Sequence, residues 1–226
     1  MDTSPSSGIN VIITGVTGMV GEGVLFECLQ EAKIAQVLVV NRRPCGVSHP
    51  KLKEIIHQNF FDLSPIENQL AGYDACFFCL GVSSVGMKEA EYRHLTYDLT
   101  LHAAQTLARQ NTQMVFCYVS GAGTDSSEKG SSMWARVKGK TENDLLKLPF
   151  KSVYNFRPAF LEPTPGMKNT STYYKYIGWL APVVRTLAPR YISTLQDLGK
   201  AMVYVSTKGY HKPILEVPDI KALANA

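Results

Sequence analysis

A chain of 226 residues with 45% hydrophobic content can close one core and is too short for more than two small ones. Charged residues make up 19%, the formal net charge is +4, and Lys and Arg are scattered, so composition offers no basic stripe for a nucleic acid. The apolar run from Ile177 to Val184 contains Pro182 and falls far short of the roughly 20 residues a spanning helix needs.

The lead from Met1 to Gly8 has neither a basic nor an apolar signal segment, which predicts a short disordered start and a soluble cytoplasmic protein. Ile9 to Thr14 is an apolar run stopped by glycine, and Met19 to Ala32 carries apolar residues at helical spacing, so a strand, a tight loop and a helix are expected in that order. Val37 to Val40 is apolar at consecutive positions, the pattern of a strand buried on both faces of a parallel sheet. Further strands are predicted at Leu52 to Phe61, Asp74 to Leu80, Gln113 to Ser120 and Lys151 to Arg157, with helices at Glu89 to Gln110 and about Ser131 to Leu148. This alternation specifies an α/β fold, a doubly wound parallel sheet with helices on both faces, in one domain spanning 1–226. After Pro158 the rhythm breaks into six prolines and the run Tyr173, Tyr174, Lys175, Tyr176, and 159–192 is assigned as a small substrate-covering cap.

The five cysteines, Cys28, Cys45, Cys76, Cys79 and Cys117, lie mostly in apolar runs and are expected to be reduced core thiols. Cys76 and Cys79 are spaced like a redox pair, but on a strand they point to opposite faces. His49, His57, His94, His102 and His211 show no metal spacing, and no metal is expected.

Gly15, Gly18 and Gly21 stand three apart between a predicted strand and a predicted helix. Glycine there permits the turn, close approach of backbone to a pyrophosphate and tight helix packing, while the amides of Thr17, Met19 and Val20 open the helix N-terminus to an anion. No Asp or Glu occurs from Gln36 to Val47, where a carboxylate would take the ribose hydroxyls of NAD. Arg42 and Arg43 stand there instead, suited to a 2′-phosphate, so NADP is favoured over NAD; a solvated strand end is the alternative.

Ser120 closes the fifth strand, Trp134 follows fourteen positions later and Lys138 four after that, on one helix face. From Ile9 to about Phe160 the chain resembles the extended and atypical short-chain dehydrogenase/reductase family, which includes sugar-nucleotide epimerases and NADPH-binding regulators. The resemblance implies that Lys138 binds the nicotinamide ribose and tunes a tyrosine, that Ser120 polarises a carbonyl, and that the tyrosine gives the proton. Trp134 occupies the tyrosine position, and an indole does not surrender its proton near neutral pH. Tyr118 and the tyrosines at 173, 174 and 176 are other candidate donors, whereas Tyr204 with Lys208 is read as a chance match to the motif. The resemblance further places Asp62 and Leu63 at the adenine, Leu80, Gly81 and Val82 beside the ribose, and Pro158 and Ala159 at the nicotinamide; Asp62 also suits a helix cap. Two readings stay open: an NADP(H)-dependent oxidoreductase or epimerase-like enzyme acting on a small molecule, and a catalytically weak NADPH sensor acting through a protein partner. A homodimer is compatible with either.

Overall fold

The computed structural model describes residues 8–164, 166–169 and 192–226. Nine strands are found among them: β1 (Ile9–Thr14), β2 (Ile34–Asn41), β3 (Leu52–Ile56), β4 (Ala75–Phe78), β5 (Val115–Val119), β6 (Ser152–Arg157), β7 (Phe160–Glu162), β8 (Ile192–Thr194) and β9 (Ile214–Glu216). Seven form one sheet in the order β3-β2-β1-β4-β5-β6-β9, every neighbouring pair parallel. The α-helices are α1 (Met19–Gln30), α2 (Glu89–Arg93), α3 (Leu99–Gln110), α4 (Met133–Leu145), α5 (Leu195–Lys208) and α6 (Val217–Ala224). The doubly wound parallel sheet read from the sequence is the fold observed.

Strand periodicity of two divides the interior into two cores. Val11, Ile13, Val37, Val39 and Phe77 face α1, α5 and α6 and meet Val24, Leu198 and Ile220. Their alternates Ile12, Leu38, Val40, Cys76 and Phe78 face α3 and α4 and meet Leu101, Leu107 and Leu145. Both faces of β2 are therefore covered, which explains its unbroken apolar run. Cys76 belongs to one core while Cys79 packs against the other, and all five cysteines are free thiols.

Several expected elements differ in length. β3 stops at Ile56 and not at Phe61, because the chain turns at Asn59 to Asp62 and sends Phe60 and Leu63 into the second core. The helix expected from Glu89 to Gln110 is continuous but is widened by one π turn at His94–Asp98. The elements after Pro158 had no sequence expectation. α5 begins with a reciprocal cap, Asp197 N–H donating to Thr194 Oγ1 at 2.9 Å and Thr194 N–H to Asp197 Oδ2 at 2.8 Å. Tyr204 lies on α5 against the first core, as its reading as a chance match requires. The cap assigned to 159–192 is described only in part; β7 and β8 pair in parallel as a second small sheet, and Tyr173, Tyr174, Tyr176 and 177–187 lie outside the described residues.

The strand order reverses between β1 and β4, one running into the left half of the sheet and the other into the right. A crevice opens outside the carboxyl ends of the strands at such a point. On its far side the loop at 121–131 is bound onto α4, with Asp125 N–H donating to the Ala135 carbonyl at 3.0 Å. Gly139 permits that approach: a Cβ there would lie 1.8 Å from Asp125 O. Alanine would add about 1 kcal/mol of helix propensity, but the clash with backbone is larger. Gly139→Ala is therefore expected to lose about 2–4 kcal/mol of stability, read from the urea midpoint.

Candidate functional site

Gly15, Gly18 and Gly21 perform three different tasks. Gly15 has a φ of 74°, and a Cβ on it would lie 2.8 Å from the Cys79 carbonyl and Leu80 N, so the turn can rest on the end of β4. Gly21 brings the first turn of α1 back onto that loop, where a Cβ would come within 2.3 Å of Gly15 O. Gly18 caps α1 in extended conformation and receives no side-chain cap. The first amides of α1, from Met19 onward, therefore point outward with the positive end of the helix dipole. Glu22 in this first turn is held by Lys168 and Asn169, whose N–H groups donate to its two oxygens at 2.8 and 2.7 Å.

A cleft of about 560 Å³ opens above this loop, within the usual range for a small-molecule site of about 300–1,000 Å³. Gly18, Met19 and Val20 form one wall, Cys79 to Val82 the floor, and Ser120, Lys138, Pro158, Ala159 and Leu161 the other wall. Five separate segments of sequence singled out above thus meet in one cavity. A second, smaller pocket of about 150 Å³ shares Leu80, Gly81 and Val82 with it and contains Arg42. Arg42 and Arg43 are exposed at the end of β2, and neither guanidinium is ion-paired with another described residue.

The small pocket lies beside the segment expected at the adenine. Gln58, Asn59, Phe60 and Phe61 line it, together with Leu95 and Leu99, whereas Asp62 and Leu63 do not. The Asp62 carboxylate accepts from Ser64 N–H at 3.0 Å and Ser64 O–H at 2.6 Å, which holds its pKa below the usual carboxylate value, and Leu63 is buried in the core. Asp62 thus closes a short turn onto Ser64, while Leu63 is the cap residue of the 3₁₀ turn Ser64–Gln69. Phe61 stacks on His94 at 4.3 Å with the rings 6° from parallel, a feature that sequence reading missed because the partners lie 33 positions apart.

The opposite wall is built on a buried ion pair. Glu142 is fully buried and Arg157 is 9% exposed. Arg157 Nε and Nη2 donate to the two Glu142 oxygens at 3.0 and 2.5 Å, a bidentate arrangement. Ser120 O–H donates to the same carboxylate at 2.5 Å. The hydroxyl expected to polarise a substrate carbonyl is thus turned into the protein as a structural tie. Neither Glu142 nor Arg157 was read from the sequence as part of this wall; Glu142 lies one turn beyond Lys138 on α4, and Arg157 ends β6.

Lys138 projects from α4 beneath this tie and donates its ammonium to the Ser120 carbonyl oxygen. Burial pulls its pKa down to about 8, with Glu142 opposing the shift. Trp134, one turn earlier, does not line the cleft; its ring rests 3.5 Å from where a Gly123 Cβ would be. Tyr118 does not serve the cleft either, being 1% exposed in the second core with its phenol pushed upward by burial. Cys79 lines the cleft, and burial raises its thiol to about 12.

No protein-family model matches the chain. Leucinostatins biosynthesis cluster protein T of Purpureocillium lilacinum is 28% identical over 86% of this chain and 83% of its own. The mitochondrial protein FMP52 of Eremothecium gossypii is 28% identical over 68% of this chain and 66% of its own. FMP52 proteins of several other fungi are similar and are also named mitochondrial, which overturns the expectation of a cytoplasmic protein. Among solved structures, the Bordetella bronchiseptica enzyme WbmF in complex with NAD+ covers 98% of this chain and 79% of its own at 14% identity, with a TM-score of 0.65. A UDP-N-acetylglucosamine 4-epimerase from Methanobrevibacter ruminantium covers 90% of this chain and 74% of its own at 14% identity, with a TM-score of 0.66. These likenesses establish a Rossmann-like α/β fold.

Glu142→Gln removes the buried counterion of Arg157 and leaves it only the half-exposed Glu216 at 3.3 Å, and an expected loss of about 3 kcal/mol should appear in chemical denaturation. Replacing Glu142 and Arg157 together by apolar residues of similar volume is expected to cost much less than the single change.

Proposed function

We propose that the chain binds NADP(H) and is an atypical short-chain reductase or epimerase-like enzyme acting on a small carbonyl compound. One observation carries the proposal: the glycine loop, the Leu80 to Val82 floor and the Lys138, Pro158, Ala159 wall enclose a single cleft that continues toward Arg42. WbmF and the epimerase share the fold, and WbmF is in complex with NAD+, which supports a nicotinamide dinucleotide as the ligand class.

On this reading the outward amides of Met19 and Val20 take the diphosphate, with Gly15 and Gly21 keeping the backbone close enough to reach it. Thr17 stands within the same turn. Arg42 and Arg43 take the 2′-phosphate, being charged, exposed and free of acidic partners among the described residues. Lys138 addresses the nicotinamide ribose, and Pro158 and Ala159 flank the ring. A reduced nicotinamide, when bound, supplies hydride; the chain's own share is to orient it, exclude water and manage the proton. Leu161 of β7 lines the cleft and begins the segment proposed to cover the substrate. The names of the FMP52 relatives support a mitochondrial location.

Arg42→Ala combined with Arg43→Ala is expected to weaken NADPH at least tenfold while changing NADH affinity by less than about threefold, since each lost charge-assisted phosphate contact is worth about 1.5–3 kcal/mol. Calorimetric titration of both nucleotides measures this, and equal weakening would remove the 2′-phosphate assignment.

The second reading, an NADPH sensor that passes its state to a protein partner, is favoured by Trp134 alone, whose ring lies off the cleft and carries no acidic proton. A panel of aldehydes and ketones with NADPH separates the two. The enzyme reading expects turnover by the native chain; a native chain that binds NADPH and reduces nothing counts against it and favours the sensor.

A further inference from the structure

Among the described residues the cleft shows no tyrosine, the group that the short-chain family uses as its acid, and a different group is in place. Trp134 and Tyr118 are outside it, and the Ser120 proton is committed to Glu142. Among the described residues lining the cleft, only Cys79 and Lys138 can ionise. We propose that the Lys138 ammonium is the proton donor to the substrate oxygen, an inference that rests on the enzyme reading above and names its catalytic acid.

The geometry suits the role. An ammonium has three N–H donors in tetrahedral arrangement. One is fixed on the Ser120 carbonyl oxygen at the carboxyl end of β5, which sets the direction of the stem and leaves two for the cleft. That carbonyl is itself immobilised, because the Ser120 side chain is bound to Glu142 and Glu142 is clamped by Arg157 from β6. The charged and titratable groups around Lys138 are few: Glu142 on its own helix, neutralised by Arg157, and Cys79 of the β4 end across the cleft, which stays protonated. Burial lowers the amine to about 8, into the range where an acid is both protonated near neutral pH and willing to give the proton up. An ordinary exposed lysine near 10.4 would be a much weaker acid.

A carbonyl carbon gains hydride from a reduced nicotinamide, which is thereby oxidised by two electrons. The C=O π pair moves onto oxygen, an N–H bond of Lys138 breaks, and an O–H bond forms. The product is an alcohol, and the neutral amine recovers its proton from water. Reduction therefore requires the protonated form, present below about 8 and lost as pH rises through that value.

Two measurements on the full-length protein test the assignment. In the first, the lysines are reductively methylated with ¹³C-formaldehyde and titrated by NMR without nucleotide; the resonance missing from Lys138→Arg identifies Lys138, and its midpoint is expected near 8 with the exposed lysines well above it. In the second, Lys138→Arg keeps a cation for the ribose but cannot release its proton in this pH range. NADPH affinity by calorimetry is expected within about tenfold of native, while carbonyl reduction falls about 100- to 10,000-fold. A Lys138 midpoint among the exposed lysines, or a Lys138→Arg chain that reduces carbonyls at near-native rate, overturns the inference and leaves the enzyme reading standing. A native chain that binds NADPH but reduces no carbonyl overturns both.

Discussion

The cleft depends on one buried carboxylate. Glu142 enters a fully dry position on α4, and such a group persists only when opposite charge and hydrogen bonds replace its lost hydration. Arg157 from the end of β6 and Ser120 from the end of β5 supply both. Three elements that are distant in sequence are thereby locked edge to edge at the carboxyl end of the sheet. Lys138 inherits its position from this lock, since the oxygen that holds it is Ser120's own backbone carbonyl.

The same region shows how an altered motif can keep its register while its chemistry moves. Ser120, position 134 and Lys138 keep their relative spacing, so the helix still delivers the lysine beneath the strand end. The indole at 134 turns instead onto Gly123, and the serine hydroxyl turns onto Glu142. Of the three, the lysine keeps both its access to the cleft and an ionisable proton.

The sheet and the glycine loop were legible because short-range patterns dictate them. Continuous apolar runs such as Val37 to Val40 can only be satisfied between two layers, and three glycines between a strand and a helix leave few alternatives. The end of β3 was misread, because the strand stops five residues early and the following turn buries Leu63 while presenting Phe61 to the small pocket. The lining by Leu95 and the stacking of His94 arise from a helix across the crevice, beyond the reach of local pattern. α5, β9 and α6 went unread for a different reason: β9 spans only three residues, and the caps at Thr194 and Glu216 are weak signals until the strand beside them is known.

Glu22 carries a consequence of another kind. A carboxylate in the first turn of a helix that receives phosphates would repel them, and here its oxygens are occupied by the amides of Lys168 and Asn169. The chain that leaves β7 is consequently hitched to the first turn of α1. Loss of the Glu22 carboxylate would release both amides together, so one side chain sets the place of two segments almost 150 positions apart.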